Sequence, residues 1–265
     1  MDYYNATVQA LRERQGKGAR YDSPAAPAEE LAMARLGTAY FARVLNAIPD
    51  EDLDQSSLIS GWSRRHVVAY VAYQARALAL SVDSVHDGAA PVSFDDRAMI
   101  DLVEQGSTLP ARALRNLVNH AEVHLNVGWR DLSAPAWDNV IRWEGASTGL
   151  RQTPWIRARA VWIHAVDLAS QGSFLDFPPP LLTAMIEDLQ ETAGIGQLSI
   201  SRHSPSTWTV TGNEKRLLAS GAPADILRWL SGRGARRLQQ AAPQLPAFDP
   251  RRWPSLPGSN RQAPL

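Results

Sequence analysis

The chain has 265 residues, and its 27 basic and 27 acidic side chains give a formal net charge of zero. This balance argues against a general nucleic-acid-binding protein, which normally carries a basic excess. Apolar residues make up 45% and charged residues 20% of the chain, as in an ordinary globular protein. No apolar run approaches the roughly 18 residues of a membrane span, and no signal peptide is visible, which predicts a cytoplasmic location.

Cysteine is absent from the sequence. This excludes disulfides, thiolate metal ligands and a protein thiol nucleophile. Any sulfur chemistry would therefore need a small-molecule thiol.

The first part of the chain is predicted to be helical after a short extension. Residues 1–27 end in a Pro/Ala/Gly-rich stretch that is typical of a linker. Apolar residues then recur at three- and four-residue spacing, which predicts long helices. Four long helices predict a helical bundle over residues 28–176. The long helices are predicted at about 29–47, 63–83, 110–132 and 153–170. A further helix is predicted to begin near residues 93–96, and the stretch at 137–150 is predicted to be irregular or weakly extended.

The pattern changes at a run of prolines at 178–180. A helix is predicted next, followed by alternating residues that predict short strands and then a second helix. The sequence therefore predicts an α+β protein, in which a small α+β domain at 177–240 follows the bundle. Residues 241–265 are Pro-rich and are predicted to form a poorly structured tail.

Three stretches of the sequence carry a resemblance to one known family. They are 58–73 (LISGWSRRHVVAYVAY), 155–168 (WIRARAVWIHAVDL) and a set of residues at 220–234 that includes Gly232-Arg233-Gly234. Over about residues 30–235 the chain resembles the mycothiol-dependent maleylpyruvate isomerases. The resemblance implies a DinB-like four-helix bundle followed by a small α+β domain, and the isomerisation or conjugation of small electrophiles with a thiol. It also implies a metal, usually zinc, held in the bundle by two His and one Glu.

Two of the three implied metal ligands are missing from this sequence. The family's second His corresponds to His164, but its Glu, one helical turn earlier on the same face, corresponds to Ala160. The family's first His corresponds to Tyr70, and a neutral Tyr with an ordinary pKa of about 10 is a poor zinc ligand. A catalytic zinc needs about three protein ligands. We therefore predict that the zinc site is absent and that no cofactor is bound, with mycothiol retained only as a candidate co-substrate.

His164 and Tyr70 are the candidate catalytic residues, because they should still face each other across the former metal cavity. One interpretation is an acid–base pair, since histidine titrates near neutrality and a buried Tyr can donate a hydrogen bond to a substrate oxygen. The other is a residual His bonded to a Tyr that fills the hole. Both interpretations remain open on the sequence.

Four further residues are candidates for substrate binding. Arg233 corresponds to a family arginine implicated in binding the acidic substrate, and a guanidinium can bind a carboxylate bidentately. The alternative for Arg233 is a solvated side chain at the end of a helix. Arg97 also corresponds to a family arginine near the site. His66 lies one helical turn before the candidate catalytic tyrosine, and His120 lies four residues before another histidine, a spacing that metal ligands use but that is common by chance.

The leading functional hypothesis is a metal-independent enzyme of this fold. It would act on a small acidic or aromatic substrate by isomerisation, elimination or cyclisation, in specialised metabolism such as natural-product biosynthesis. One alternative is a thiol-dependent isomerase or S-transferase with a rebuilt metal site. Another is a non-catalytic ligand-binding accessory protein. A small molecule is the predicted partner, with neither nucleic acid nor membrane, and the sequence leaves the oligomeric state open.

Overall fold

The computed structural model describes residues 21–86, 88, 95–192, 198–212 and 215–257, and its first half is helical as the periodicity predicted. The helices of this half are α1 (Ala28–Asn46), α2 (Arg64–His86), α3 (Asp96–Ser107), α4 (Ala111–Asp131) and α5 (Thr153–Asp167). α1 packs along α5, α2 packs along α4, and α2 also contacts α5, so these four helices close one bundle. The shorter α3 packs against α2.

Helix α5 is the most deeply buried element of the bundle. Its sequence is apolar on every face, and 13 of its 15 residues are buried, as expected of a helix without a polar stripe. Pro154 lies in its first turn, where a missing N–H costs no helical hydrogen bond. Arg157, His164 and Asp167 are carried into the interior with this helix. None of the helices in the described ranges is long and apolar enough to cross a membrane.

The stretch at 137–150, predicted to be irregular or weakly extended, contains a small hairpin. Strand β1 (Val140–Trp143) pairs antiparallel with β2 (Ala146–Gly149). The turn between them consists of Glu144 and Gly145, which both have positive φ, the arrangement that two-residue hairpins favour. The hairpin packs against α2.

The C-terminal part has the predicted α+β composition. Helix α6 (Pro179–Thr192) is followed by strands and then by helix α7 (Pro223–Leu230), which packs against α6. The strands form one antiparallel sheet in the order of the chain. They are β3 (Ser199–Ser204), β4 (Thr207–Thr211), β5 (Leu217–Gly221) and β6 (Gln239–Gln240), of which the sequence did not predict the short β6.

The prediction of a poorly structured tail is wrong for the described part of that segment. Residues 241–257 run back from the sheet to the bundle. Trp253 and Leu256 are only 2% and 0% exposed, and the Trp253 indole donates a hydrogen bond of 2.7 Å to Asp188. Burying two large apolar side chains outweighs the unfavourable composition of the segment, since each contributes about 1.5–3 kcal/mol.

A matched pair of glycines tests how this segment packs. Gly232 and Gly234 both have positive φ, 82° and 88°. A Cβ added at Gly232 would lie 2.6 Å from the carbonyl oxygen of Phe248, whereas one at Gly234 would meet nothing within 4 Å. We expect Gly234→Ala to lower the free energy of unfolding by about 1–2 kcal/mol through its backbone conformation. Gly232→Ala should lower the free energy of unfolding by a further 1–3 kcal/mol or so, because its Cβ would overlap the backbone around Phe248.

Urea unfolding of the two variants measures this difference. Equal losses would show that the segment around Phe248 does not pack closely on Gly232 in solution.

Candidate active site

The candidate site lies inside the bundle, where α2 and α5 face each other. Tyr70 on α2 and His164 on α5 are 4% and 0% exposed. Their rings meet edge to face, with centroids 5.1 Å apart. Ala160, one turn before His164, is fully buried. The structure brings the two side chains together as expected from the sequence, and their catalytic roles remain a prediction.

One nitrogen of the His164 ring is anchored and the other is not. Nδ1 lies 2.8 Å from Oδ2 of Asp167. An ionised carboxylate can only accept a hydrogen bond, so Nδ1 carries the proton and the neutral ring has its lone pair on Nε2. Nε2 is buried and has no hydrogen-bond partner among the described residues. The ring is thus held in the tautomer and orientation that a general base requires.

Asp167 is in turn held by Arg233, from the turn after α7. The guanidinium donates from Nε to Oδ1 at 2.9 Å and from Nη2 to Oδ2 at 2.6 Å, and both side chains are fully buried. Its Nη1 donates to the backbone oxygens of Ser231 and Trp253, each at 2.6 Å. A solvated Arg233 is therefore excluded. The carboxylate that Arg233 binds in this structure belongs to the protein, and its role in substrate binding stays a prediction.

Burial and pairing set the charges of this cluster. Burial alone would raise the pKa of the Asp167 carboxyl, but Arg233 and His164 together hold it below its ordinary value. Burial also lowers the pKa of His164 below its ordinary 6.5, although Asp167 acts in the opposite direction. At neutral pH the carboxylate is charged and the imidazole is neutral, so its Nε2 lone pair is available.

A second buried cation, Arg157, lies two turns before His164 on the same face of α5. Its Nη1 donates 2.7 Å to the side-chain oxygen of Gln74 and 2.8 Å to a backbone oxygen of α2, and its Nη2 forms an ion pair with Glu122. Burial lowers the pKa of Arg157 to about 9, while Tyr70 acts to raise it. Sequence reasoning missed this residue. An Arg at a buried position of a mostly apolar helix was the signal, because such a charge must find a buried partner.

The end of the described chain closes the cavity. The hydroxyl of Tyr70 donates to the backbone oxygen of Ser255 at 3.4 Å. A cavity of about 30 Å³ remains beside Tyr70 and is lined in part by Met99, Trp143 and Pro257. This space holds about two or three water molecules at roughly 10–15 Å³ each, which is too little for an organic substrate.

Comparison with known proteins agrees with this architecture. The model of the mycothiol maleylpyruvate isomerase N-terminal domain matches residues 34–169. The chain belongs to this family. Crystal structures of the mycothiol-dependent maleylpyruvate isomerase and of a histidine-to-alanine variant of it are 31% and 30% identical to the chain, with TM-scores of 0.74 and 0.75. Each match covers 83% of this chain and 94% of the other. Among curated proteins none matches.

Membership of the maleylpyruvate isomerase family makes the chain homologous to an isomerase enzyme. It also confirms the helical bundle with a small α+β domain that the sequence resemblance implied. The residues do not fit the zinc site that this resemblance implied, because only His164 among the three corresponding positions offers a good ligand. In the described part of the chain, no group of three or more His, Asp or Glu side chains is placed to hold a metal ion.

The other three candidate residues lie elsewhere. The backbone N–H of Ser63 donates to Nδ1 of His66 at 3.2 Å, so His66 caps the start of α2. Arg97 is 80% exposed at its side chain and pairs with Asp101 one turn later on α3. His120 is exposed on α4, because the buried positions of that helix fall on its other face. The structure does not bring Arg97 and His120 into the buried cluster.

The ion pair between Asp167 and Arg233 predicts a large stability effect. Arg233→Met leaves the Asp167 carboxylate buried without its cation, which should lower the free energy of unfolding by about 3–5 kcal/mol. The control is Asp54→Asn, which breaks the pair of Arg65 with a largely exposed Asp54 and should cost at most about 1 kcal/mol. Denaturant unfolding at pH 7 compares the two. Similar losses would show that the buried pair adds no more than a surface pair.

Proposed function

We propose that this chain is a metal-independent isomerase in which His164 acts as a general base and Tyr70 binds a substrate oxygen. The observation that carries the proposal is the state of the His164 ring. It is neutral, is fixed at Nδ1 by Asp167, and has a buried Nε2 without a hydrogen-bond partner among the described residues, next to the ring of Tyr70. A base held in this way needs no metal to move a proton.

The proposed reaction begins when Nε2 takes a proton from the bound substrate. The electron pair left behind moves onto a substrate oxygen, which the Tyr70 hydroxyl stabilises by donating a hydrogen bond. The Asp167 carboxylate stabilises the imidazolium through Nδ1. The same proton then returns to the substrate, either at a different atom or at the original one after rotation about a bond weakened in the delocalised anion, so that the product is an isomer and no other reactant is consumed. Arg233 and Arg157 both lower the pKa of His164, which favours this return.

The surroundings of the cavity favour a small substrate with oxygen acceptors. Its two buried cations, Arg157 and Arg233, are each paired with a carboxylate, so the cavity carries little net charge. Tyr70 is also flanked by Trp62, whose ring centroid lies 5.9 Å from its own. Such a site suits an apolar or aromatic compound with a carbonyl or carboxyl group. Maleylpyruvate, which is named for the related crystal structures, is the first compound to assay.

The family relationship favours a second candidate, in which His164 deprotonates mycothiol as a co-substrate. A thiol with an ordinary pKa of about 8.5 lies at least two units above a histidine whose pKa is below 6.5, and each unit corresponds to about 1.4 kcal/mol. Proton transfer from the thiol to His164 is therefore unfavourable by at least about 2.7 kcal/mol. Direct proton abstraction from the substrate is placed first on geometry, because the Tyr70 ring lies against the His164 ring and its hydroxyl can stabilise the substrate oxyanion that forms. Isomerisation that requires added mycothiol would favour the second candidate instead.

Three variants test the proposed roles with maleylpyruvate as substrate. His164→Gln should lower kcat/KM by about 10²–10⁴, the usual contribution of a general base. Tyr70→Phe should lower it by about tenfold, which corresponds to one hydrogen bond of roughly 1.4 kcal/mol. The control is His203→Gln, at an exposed position in β3, which should leave the rate unchanged. If His164→Gln and Tyr70→Phe both keep the wild-type rate within about twofold, the bundle cavity is not the active site.

The pH dependence gives a further test. Only the neutral ring can accept a proton, and burial places the pKa of His164 below 6.5. The value of kcat/KM should therefore stay constant as the pH falls from 8 to 6.5 and decrease only at lower pH. Asp167→Asn should move this decrease to still lower pH, since Asp167 acts to raise the pKa of His164. A wild-type midpoint above 6.5 would contradict the proposed base.

The proposed independence of metal is tested by restoring the ligands. Tyr70→His combined with Ala160→Glu places two ligands beside His164 and should create a site for one zinc ion per chain. Ala160→Glu alone leaves two ligands, fewer than the roughly three that a catalytic zinc requires, and should bind much less. Elemental analysis and equilibrium dialysis with zinc give the stoichiometry. A stoichiometric zinc in the wild-type protein that is lost in His164→Ala would overturn metal independence.

A further inference from the structure

The last described residues, 250–257, form a strap across the mouth of the active site. We call these residues the C-terminal strap. The strap makes no pairing with the sheet strands and belongs to no helix. It contacts the bundle on one side and the C-terminal domain on the other, so it spans the opening between them.

Two anchors hold the strap in place. Trp253 is buried and its indole donates to Asp188 of α6 at 2.7 Å, while Leu256 is fully buried. Arg251 adds a contact at the rim, where its guanidinium lies 5.1 Å from the ring centroid of Trp62 and donates to the Ser60 oxygen at 3.0 Å.

Two backbone oxygens of the strap are bound by residues of the site. Ser255 accepts the hydrogen bond of the Tyr70 hydroxyl, and Trp253 accepts one from Nη1 of Arg233. Both donors belong to the catalytic or substrate-binding candidates. The strap therefore occupies these donors with acceptor oxygens of its own, as a bound ligand would.

In the closed arrangement the His164 ring is buried, and it does not line the small space beside Tyr70. Only about 30 Å³ remains beside Tyr70, and Nε2 of His164 is completely buried. Access requires a movement. The strap belongs to no helix or sheet, so it can move without breaking either, and such segments lie at the low-stability end of a fold.

We propose that the C-terminal strap is a removable lid. It closes the site by placing its own carbonyl oxygens on Tyr70 and Arg233, and it leaves when a ligand with at least two acceptor oxygens takes over these donors. This inference rests on the proposed function, because it takes the cavity beside His164 as the place where the substrate binds. Because only open molecules can bind, the apparent Kd for any ligand equals the Kd of the open state divided by the fraction of molecules that are open.

The experiment measures the accessibility of His164 and does not use turnover. Diethyl pyrocarbonate acylates neutral imidazole, and mass spectrometry of the peptides gives the rate at each histidine. The exposed residues His120 and His203 are internal references in the same molecule. The anchors are weakened by combining Trp253→Ala with Leu256→Ala. The control is Trp208→Ala, which removes an equally large and buried side chain from β4 without touching the strap.

The double anchor variant should acylate His164 at least about tenfold faster than the intact protein, as the open fraction rises. The two reference histidines should be unaffected. An increase below about threefold would overturn the lid, and so would an equal increase in Trp208→Ala, since general loosening of the fold would then explain the result.

Native-state hydrogen exchange of the intact protein provides a second measurement that needs no variant. The amide of Leu256, bonded to the Arg251 oxygen at 2.9 Å, should exchange at least about 100-fold faster than the amides of α5, because it opens locally. Equal rates would show that the strap opens only when the whole domain unfolds, and would overturn the lid. If both measurements support the lid but His164→Gln keeps full activity, the lid proposal stands and only the proposed catalytic function is wrong.

Discussion

The buried carboxylate of Asp167 is the constraint on which the rest of the structure depends. It lies at the last residue of α5 and binds the His164 ring within its own helix and the Arg233 guanidinium from the C-terminal domain. A carboxylate out of water is tolerated only when it is paired and hydrogen-bonded. The two domains must therefore dock in the one arrangement that delivers Arg233. The same guanidinium also holds the Trp253 oxygen, so one charge organises the base, the domain contact and the closure of the site.

The change from the metal site implied by the family has a consistent physical consequence. A bound zinc ion would supply a fixed positive charge that deprotonates a thiol outright. Tyr70 and Ala160 instead leave a nearly neutral cavity with one basic nitrogen. In such surroundings a few oriented polar groups act strongly because water does not compete with them. The fold is retained while the chemistry it supports depends on the residues placed in the cavity.

The buried charges around His164 are held independently of the strap. Arg157 is fixed by Gln74 on α2 and by Glu122 on α4, and Arg233 by the turn after α7. These groups are rigid, so the positive charges around His164 do not change when the rim opens. The mobile part proposed here is limited to the strap, whose anchors are two side chains and a few hydrogen bonds. If the proposed lid opens, a rigid charged interior would let a ligand enter without reorganising the surroundings of His164.

The sequence by itself determined the helices, because their apolar spacing repeats locally and needs no knowledge of the partner. It also determined the small C-terminal domain and the replacement of two metal ligands at Tyr70 and Ala160. The tertiary structure decided the partners. Arg233 is 66 residues from Asp167 and Arg157 is 35 residues from Glu122, and no local pattern indicates which buried charges will meet.

Side-chain direction and the course of the last residues were also decided only by packing. Arg97 and His120 are of a type suited to binding, but their helices turn them to the surface. The Pro-rich composition of 241–265 predicted a poorly structured tail, because composition averages over a segment and hides single anchors. Trp253 and Leu256 find buried positions only once the two domains have docked, so their contribution is invisible until the fold is complete.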